Sequence, residues 1–360
     1  MTTPAHPTQV AELPVVRARG SPRARGRQIG EAAAPLILRM LGSYRELIEA
    51  SRTRLQLSWE EAAIQARRYA SYAQGQYLEE LAGMAEGAGV SLDDLLVLNC
   101  AEALVSDALP LKCTSLALGP DWTEDRHVLL AHNEDWFPQD QDTLYLIHAE
   151  PEVEPPFLAL TYGGLLPCIG LNAASLAQCC DSVYPTDSRY GVPRAFVARS
   201  VLGARDLAEA ARRAAHPDRE AGYNHLVINR EGSILSLETS ALRHAALSDQ
   251  AGALVHTNHY LDPQLREIEQ DPEGLSRSHL RYERASELLL AGRPHSPASL
   301  AGILADHQNA PSSICSHVQE AHAPLDQYAT IASVIIDLTE MTLHVAVGRP
   351  CGSTFHSYSM

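Results

Sequence analysis

Leu111-Lys112-Cys113-Thr114-Ser115-Leu116-Ala117-Leu118 is the stretch whose reading decides the fold. A polar, turn-like segment precedes it, and the residues after Cys113 form an apolar run of strand type. A second polar cluster follows, His132-Asn133-Glu134-Asp135-Trp136. A thiol at the first position of a strand, facing an Asn-x-Asp turn, has two readings. One is a buried strand thiol. The other is a nucleophile that becomes competent when the chain is cut in front of it. The cut frees the α-amine of Cys113. That amine titrates near ~8 and can act as base for its own thiol, as a Thr paired with an N-terminal amine does.

Around this stretch the texture changes. Residues 1–29 read as a flexible arm rich in Pro, Arg and Gly. Residues 30–112 read as helical, with apolar spacing from Ala32 to Ile48 and acidic first turns after Ser58 and Ser91. The Ser58 helix is expected to run toward Tyr77, and no strand is expected before Cys113. From Cys113 to Met360 short strands alternate in blocks with pairs of helices. Strands are expected at 113–118, 128–131, 143–148, 157–162, 224–228, 234–238, 253–257, 330–338 and 343–348. Helices are expected at 193–202, 206–215, 278–290 and 299–307. Blocks of each type argue for a layered α+β fold and not for alternating βαβ units.

The 360 residues are 45% hydrophobic, enough for one large core. Net charge is −16, and the run Arg17, Arg19, Arg23, Arg25, Arg27 reads as a solvated arm. A nucleic-acid partner is not expected. No apolar run is long enough to span a bilayer, and no signal-peptide pattern is seen, so no membrane partner is expected either. Seven cysteines, with no Cys-x-x-Cys pair, read as reduced and mostly buried thiols of a cytoplasmic protein, Cys113 apart.

The histidines offer a competing reading. His256-x-x-His259 with His279, His307, His317 and His322 suggests a zinc-dependent hydrolase. The spacing is not that of H-E-x-x-H, so no metal ligand and no cofactor is assigned. Phosphate-binding, dinucleotide-binding and G-x-S-x-G patterns are lacking.

In order along the chain come Cys113-Thr114-Ser115, Asn133-Glu134-Asp135-Trp136, Gly170-Leu171-Asn172, His256-Thr257-Asn258-His259, Ser313-Ile314-Cys315 and Ala346-Val347-Gly348-Arg349-Pro350-Cys351. The set resembles the penicillin acyltransferase (isopenicillin N acyltransferase-like) family of N-terminal nucleophile hydrolases. The resemblance implies a four-layer αββα sandwich and self-cleavage between Lys112 and Cys113. The helical 30–112 segment and the 113–360 catalytic chain would then stay associated. It implies an amidohydrolase or acyltransferase working on a small-molecule amide or acyl donor through an acyl-Cys113 thioester. Asn258 would be the side-chain oxyanion donor, with a backbone N–H near Asn172 as a second. Asp135 would support the nucleophile's strand end, and Ser115 would bond the new α-amine. From the residues alone, Asn258 is a strand-end turn amide, Asp135 a turn carboxylate and Ser115 an inward strand hydroxyl.

One position departs from the pattern. Relatives read Ser-Ile-Cys-Arg where this chain has Ser313-Ile314-Cys315-Ser316. The departure bears on substrate charge or maturation, and Arg281 is the candidate substitute. A relative that keeps the fold and never matures is the third reading.

Overall fold

The computed structural model describes residues 12–105, 112–247, 249, 251–270 and 272–360. Strand β1 (Val15–Gly20) leads into α1 (Pro22–Ala50), where Ser21 caps the Ala24 N–H and Pro22 sits in the first turn. The short α2 (Arg52–Leu55) precedes α3 (Trp59–Ala70), α4 (Gly75–Ala88), α5 (Leu92–Asn99) and α6 (Ala101–Val105). Capping boxes at Ser58–Glu61 and Ser91–Asp94 start α3 and α5.

Two expectations fail here. The helix opened at Ser58 stops at Ala70, and a second begins at Gly75. Of the expected arm, residues 1–11 lie outside the described residues, but 15–20 pair in parallel with 146–151, and α1 begins at Pro22. The arginine run hid this strand. Val16 and Ala18 are buried while Arg17 and Arg19 face out, a half-buried alternation over only six residues.

The second part of the chain begins with β2 (Lys112–Leu118) and β3 (Leu129–Trp136). Next come β4 (Leu144–Pro151), β5 (Phe157–Tyr162), β6 (Ile169–Asn172) and β7 (Leu176–Val183). Helices α7 (Arg194–Leu202) and α8 (Leu207–Ala214) precede β8 (Gly222–Asn229), β9 (Ile234–Thr239), β10 (His244–Leu247) and β11 (Ala253–His256). After α9 (Pro263–Arg266), α10 (Pro272–Ala291) and α11 (Pro297–Leu304) come β12 (Ala329–Asp337), β13 (Thr342–Val347) and β14 (Phe355–Ser359). One sheet runs β1-β4-β5-β6-β7-β8-β9-β10 and the other β11-β2-β3-β12-β13-β14. The sheets meet through β2 and β3 against β7 and β8. Helices α7 and α8 cover the first sheet, and α10 and α11 the second. The fold is the expected α+β sandwich of four layers, αββα.

Strand alternation sorts the residues of β2 and β3. Leu116, Leu118, Leu129 and Ala131 pack with Ala285, Leu289, Leu300 and Ile303 of α10 and α11. Ala117 and Leu130 join the core between the sheets. Cys113 and Ser115 therefore face the inter-sheet space, and Thr114 faces the helices. The cluster Asn133-Glu134-Asp135, expected as a turn, lies inside β3, paired with β2 on one side and β12 on the other. Its polar side chains find partners on both faces, so their polarity does not mark a turn.

The N-terminal helices are bound to the rest by two devices. Helices α1 and α4 cross at glycines: a Cβ on Gly26 would lie 1.9 Å from the Glu80 carbonyl oxygen, and one on Gly83 2.1 Å from that of Arg23. Buried Glu80 accepts from Arg25 at 2.5 Å and from Arg199 of α7 at 3.3 Å, and Arg199 also pairs with Glu154 at 2.9 Å. Charges this deep persist because they are paired. Gly83→Val should force the helices apart and destabilise the chain by about 1–3 kcal/mol or more. Urea denaturation beside the wild type measures it, and an unchanged midpoint would contradict the close crossing.

Candidate active site

The register of β2 against β3 sets Cys113 opposite Glu134, Ser115 opposite His132 and Lys112 opposite Asp135. On the inter-sheet face, the Cys113 thiol lies 3.8 Å from Glu134 Oε2. That carboxylate also meets His132 Nε2 at 2.9 Å and accepts from the Tyr162 hydroxyl at 2.8 Å. His132 Nδ1 lies 2.9 Å from Ser115 Oγ, which donates to Asp181 Oδ1 at 2.6 Å. Asp181 accepts from Asn224 and lies 3.2 Å from His256, which reaches Glu238 at 2.9 Å. A buried polar chain thus runs from the thiol across both sheets.

Burial pushes the Cys113 thiol far up, and the neighbouring Glu134 charge adds to this. The thiol is therefore held protonated, a weak nucleophile. Burial also works against charging His132, but its hydrogen bonds to Cys113, Cys179 and Glu134 outweigh that and raise its pKa. His256 likewise ends at about 9, because Asp181 and Glu238 overcome burial. Burial opposes ionisation of Asp181 too, yet His256, His132 and Ser115 hold it below the usual range.

On the helix-facing side stands Arg281 of α10, 1% exposed. It donates to the Cys113 carbonyl oxygen, to Thr114 Oγ1 at 3.0 Å and to Asn258 Oδ1 at 2.7 Å. The Cys113 backbone N–H donates to the same Oδ1 at 2.8 Å. Both partners only donate, so the Asn258 oxygen must face Cys113. Its Nδ2 gives one N–H to the Ser182 carbonyl at 3.0 Å. Asp135 lies apart from the thiol. It accepts from Thr330 at 2.6 Å and from Ser316 at 2.8 Å. Lys112 is buried, bonded to the Tyr328 hydroxyl, with its Nζ 3.7 Å over that ring. Burial, then Arg281 and Arg277, lower its pKa to about 6.

Asn258 therefore reaches the Cys113 N–H, Ser115 is joined to the thiol only through His132 and Glu134, Asp135 is bonded on the opposite face, and Arg281 reaches the Cys113 backbone. Asn172 does not join them. Its side chain caps the turn into β7 and donates to the Leu202 and Ala204 carbonyls. His132, Glu134, Tyr162 and Asp181 were missed by the sequence reading. Pairing Cys113-x-Ser115 with His132-x-Glu134 as antiparallel partners would have found two of them. The six histidines of the zinc reading do not converge among the described residues. His256 bridges carboxylates, His259 stacks on His279, and His307 meets His317.

A small cavity opens at Cys113 and Glu134, walled by Trp136, Leu160, Tyr162 and Ile169. Glu102 and Tyr223 line it as well. Glu102 accepts from Ser182 at 3.0 Å and from Arg194 at 2.9 Å.

A thiol at the start of an inner strand, in an αββα sandwich, with the Asn258 oxygen on its backbone N–H and Arg281 on its carbonyl, defines a chain of the N-terminal nucleophile hydrolase type. Residues 122–351 match the family described as acyl-coenzyme A:6-aminopenicillanic acid acyl-transferase, and the chain belongs to that family. The match begins after Cys113. The acyl-coenzyme A:6-aminopenicillanic-acid-acyltransferase 40 kDa form of Emericella nidulans is 23% identical over 342 residues, 93% of this chain and 92% of that protein. Penicillin V acylase from Agrobacterium tumefaciens is similar in structure at a TM-score of 0.47 and 16% identity, covering 65% of this chain and 83% of that one. Conjugated bile acid hydrolase from Clostridium perfringens is similar at 0.46 and 11%, covering 69% and 97%. The protein is an enzyme of the acyltransferase class.

Burial raises the Asp135 carboxyl to about 6, against the pull of Arg281, Thr330, Ser316 and Lys112. The unfolded value is ~3.9. A raised carboxyl contributes stability in full below ~3.9 and loses it as pH rises through about 6. Asp135→Asn should remove that loss. The wild type's stability relative to Asp135→Asn should then fall by roughly 2 kcal/mol between pH 4 and 7. Urea midpoints of both proteins across this range measure it, and parallel profiles would contradict the raised carboxyl.

Proposed function

We propose that the chain cuts itself between Lys112 and Cys113, and that the freed Cys113 then transfers acyl groups from small-molecule amides to water. The observation that carries this is the Asn258 oxygen on the Cys113 N–H, 2.8 Å away, with Arg281 holding the Cys113 carbonyl. These bonds fix the residue on both sides of its Cα while the thiol enters the cavity.

In the cut, the thiol attacks the Lys112 carbonyl carbon and gives up its proton toward Glu134, whose Oε2 is placed 3.8 Å away. The C–N bond breaks as the nitrogen gains a proton, leaving a Lys112–Cys113 thioester and a free α-amine. Water then releases the Lys112 carboxylate. The new amine stays on the Asn258 oxygen and takes over as base, near pKa ~8. In turnover the thiolate attacks the substrate carbonyl, the leaving amine departs protonated, and water clears acyl-Cys113. The remaining Asn258 Nδ2–H is the proposed oxyanion donor. Trp136, Leu160, Tyr162 and Ile169 favour an apolar acyl group. Water is placed ahead of an amine acceptor, because nothing in the cavity singles out a β-lactam nucleus or a coenzyme.

The two pieces would stay together. β1 lies in the sheet of the catalytic chain, and Glu80 and Glu102, before the cut, bind Arg199 and Arg194 after it. Intact mass under denaturing conditions tests the proposal. The wild type should give two fragments meeting at Lys112/Cys113, and Cys113→Ala one uncut, inactive chain. A cut or active Cys113→Ala protein sinks the mechanism, and a full-length wild type marks a relative that does not mature. In the cut enzyme, Asn258→Ala should lower turnover by ~10²–10³. Steady-state kinetics on an amide with an aryl-acetyl group would read this.

A further inference from the structure

Three pieces of chain outside the active site bring four metal-type donors together. His307 follows α11, Cys315 and His317 lie in the loop before β12, and Cys351 follows β13. Their donor atoms all lie within 4.8 Å of one another. Nε2 of His317 is 3.0 Å from Nε2 of His307, 3.7 Å from Sγ of Cys315 and 3.6 Å from Sγ of Cys351. In a tetrahedral zinc site, Zn–N of about 2.0–2.1 Å and Zn–S of about 2.3 Å put the donor atoms roughly 3.3–3.8 Å apart. The cluster is already close to that size.

We propose that His307, Cys315, His317 and Cys351 form a structural zinc site. Four protein donors leave no open position for water or substrate, so the metal would hold the fold and not take part in the reaction. The loop supplies the reason for one. Residues 305–323 contain no helix or strand, a length that is uncommon without a function. Yet this loop carries Ser316, which bonds Asp135, and the Ile314 carbonyl, which accepts from Asn133 at 3.0 Å. An ion joining Cys315 and His317 to Cys351 would pin the loop to the sheet beneath the β3 segment opposite Cys113. The sequence reading named His307 and His317 but took the cysteines as inert thiols. Cys351 is exposed, and lies far from the other three in the chain.

One contact must change on loading. Arg349 donates to His317 Nδ1 at 2.8 Å. Coordination through Nε2 leaves the ring proton on Nδ1, so the exposed Arg349 side chain has to withdraw. Arg349→Gln should therefore bind zinc at least as tightly as the wild type.

The test uses the full chain under reducing conditions. Zinc is counted by elemental mass spectrometry, and the stripped protein is titrated with cobalt(II). The expected result is one equivalent of zinc and thiolate-to-cobalt absorption with tetrahedral d–d bands. Both should be lost in Cys351→Ser and in His307→Ala and kept in Cys113→Ala, with circular dichroism showing each variant folded. A folded, reduced wild type that takes up neither metal overturns the proposal. So does metal lost in Cys113→Ala and kept in Cys351→Ser, which would place it at the Cys113, His132 and Glu134 cluster. A Cys315–Cys351 disulfide that persists in excess zinc and reductant would overturn it too, making the pair a redox couple.

Discussion

The chemistry of this chain depends on one strand register, Cys113 opposite Glu134 and Ser115 opposite His132. A slip of one residue would turn every side chain of β2 to the other face. Lys112 and Thr114 would enter the cavity, and the thiol would go under α10. Apolar packing prevents this. Leu116 and Leu118 are fully buried against α10 and α11, while Ala117 fills the narrow space between the sheets. The same register divides the charges. Glu134, Asp181 and His132 lie on the inter-sheet side, and Arg281 and Asp135 on the helix side. The backbone of Cys113 is the boundary, touched by the Asn258 oxygen and by Arg281.

Under the proposed mechanism, that division keeps a buried thiol inert before the chain is cut. Desolvation and Glu134 both oppose a thiolate, so an intact chain holds Cys113 protonated. Changing this needs a base that appears at the right moment and adds no net charge beforehand. A peptide nitrogen converted to an amine meets both conditions, since it is neutral and non-basic until the bond breaks. The Asn258 oxygen can accept from either form, so the anchor need not move when the nitrogen changes character.

Much of the layered fold was legible, because apolar spacing and serine caps are local signals. The 157–162 strand coincides with its expected bounds, and Ser58 and Ser91 start helices where their acidic neighbours suggested. What escaped was set by non-local pairing. β1 is an edge strand whose exposed face is arginine, so composition read it as an arm. Asn133-Glu134-Asp135 looked like a turn because each residue is polar. In the fold each has a distant partner: Asn133 the carbonyls of Leu304 and Ile314, Glu134 the hydroxyl of Tyr162, and Asp135 those of Ser316 and Thr330. The candidate site was legible as residue types at Cys113 and Asn258, which the fold brings into contact. The neighbours of the thiol, Glu134 and through it His132, follow only once the strands are paired.

The serine at 316 shows how a site can keep a cation while changing the residue that supplies it and the group it pairs with. The resemblance expects an arginine at this position, joined to the active site. A guanidinium beside the buried Asp135 would pull its pKa down by direct pairing. Here Ser316 and Thr330 satisfy the carboxylate with neutral hydroxyls, and the cation comes instead from α10 as Arg281. Hydroxyls stabilise a buried carboxylate less than a paired guanidinium does. Burial therefore prevails, and Asp135 sits near 6. Arg281, freed from direct pairing with Asp135, spends its donors on the Cys113 carbonyl, Thr114 and Asn258. The positive charge sits at the Cys113 backbone and not in direct pairing with Asp135. There it holds Asn258 and Cys113 in one hydrogen-bonded unit.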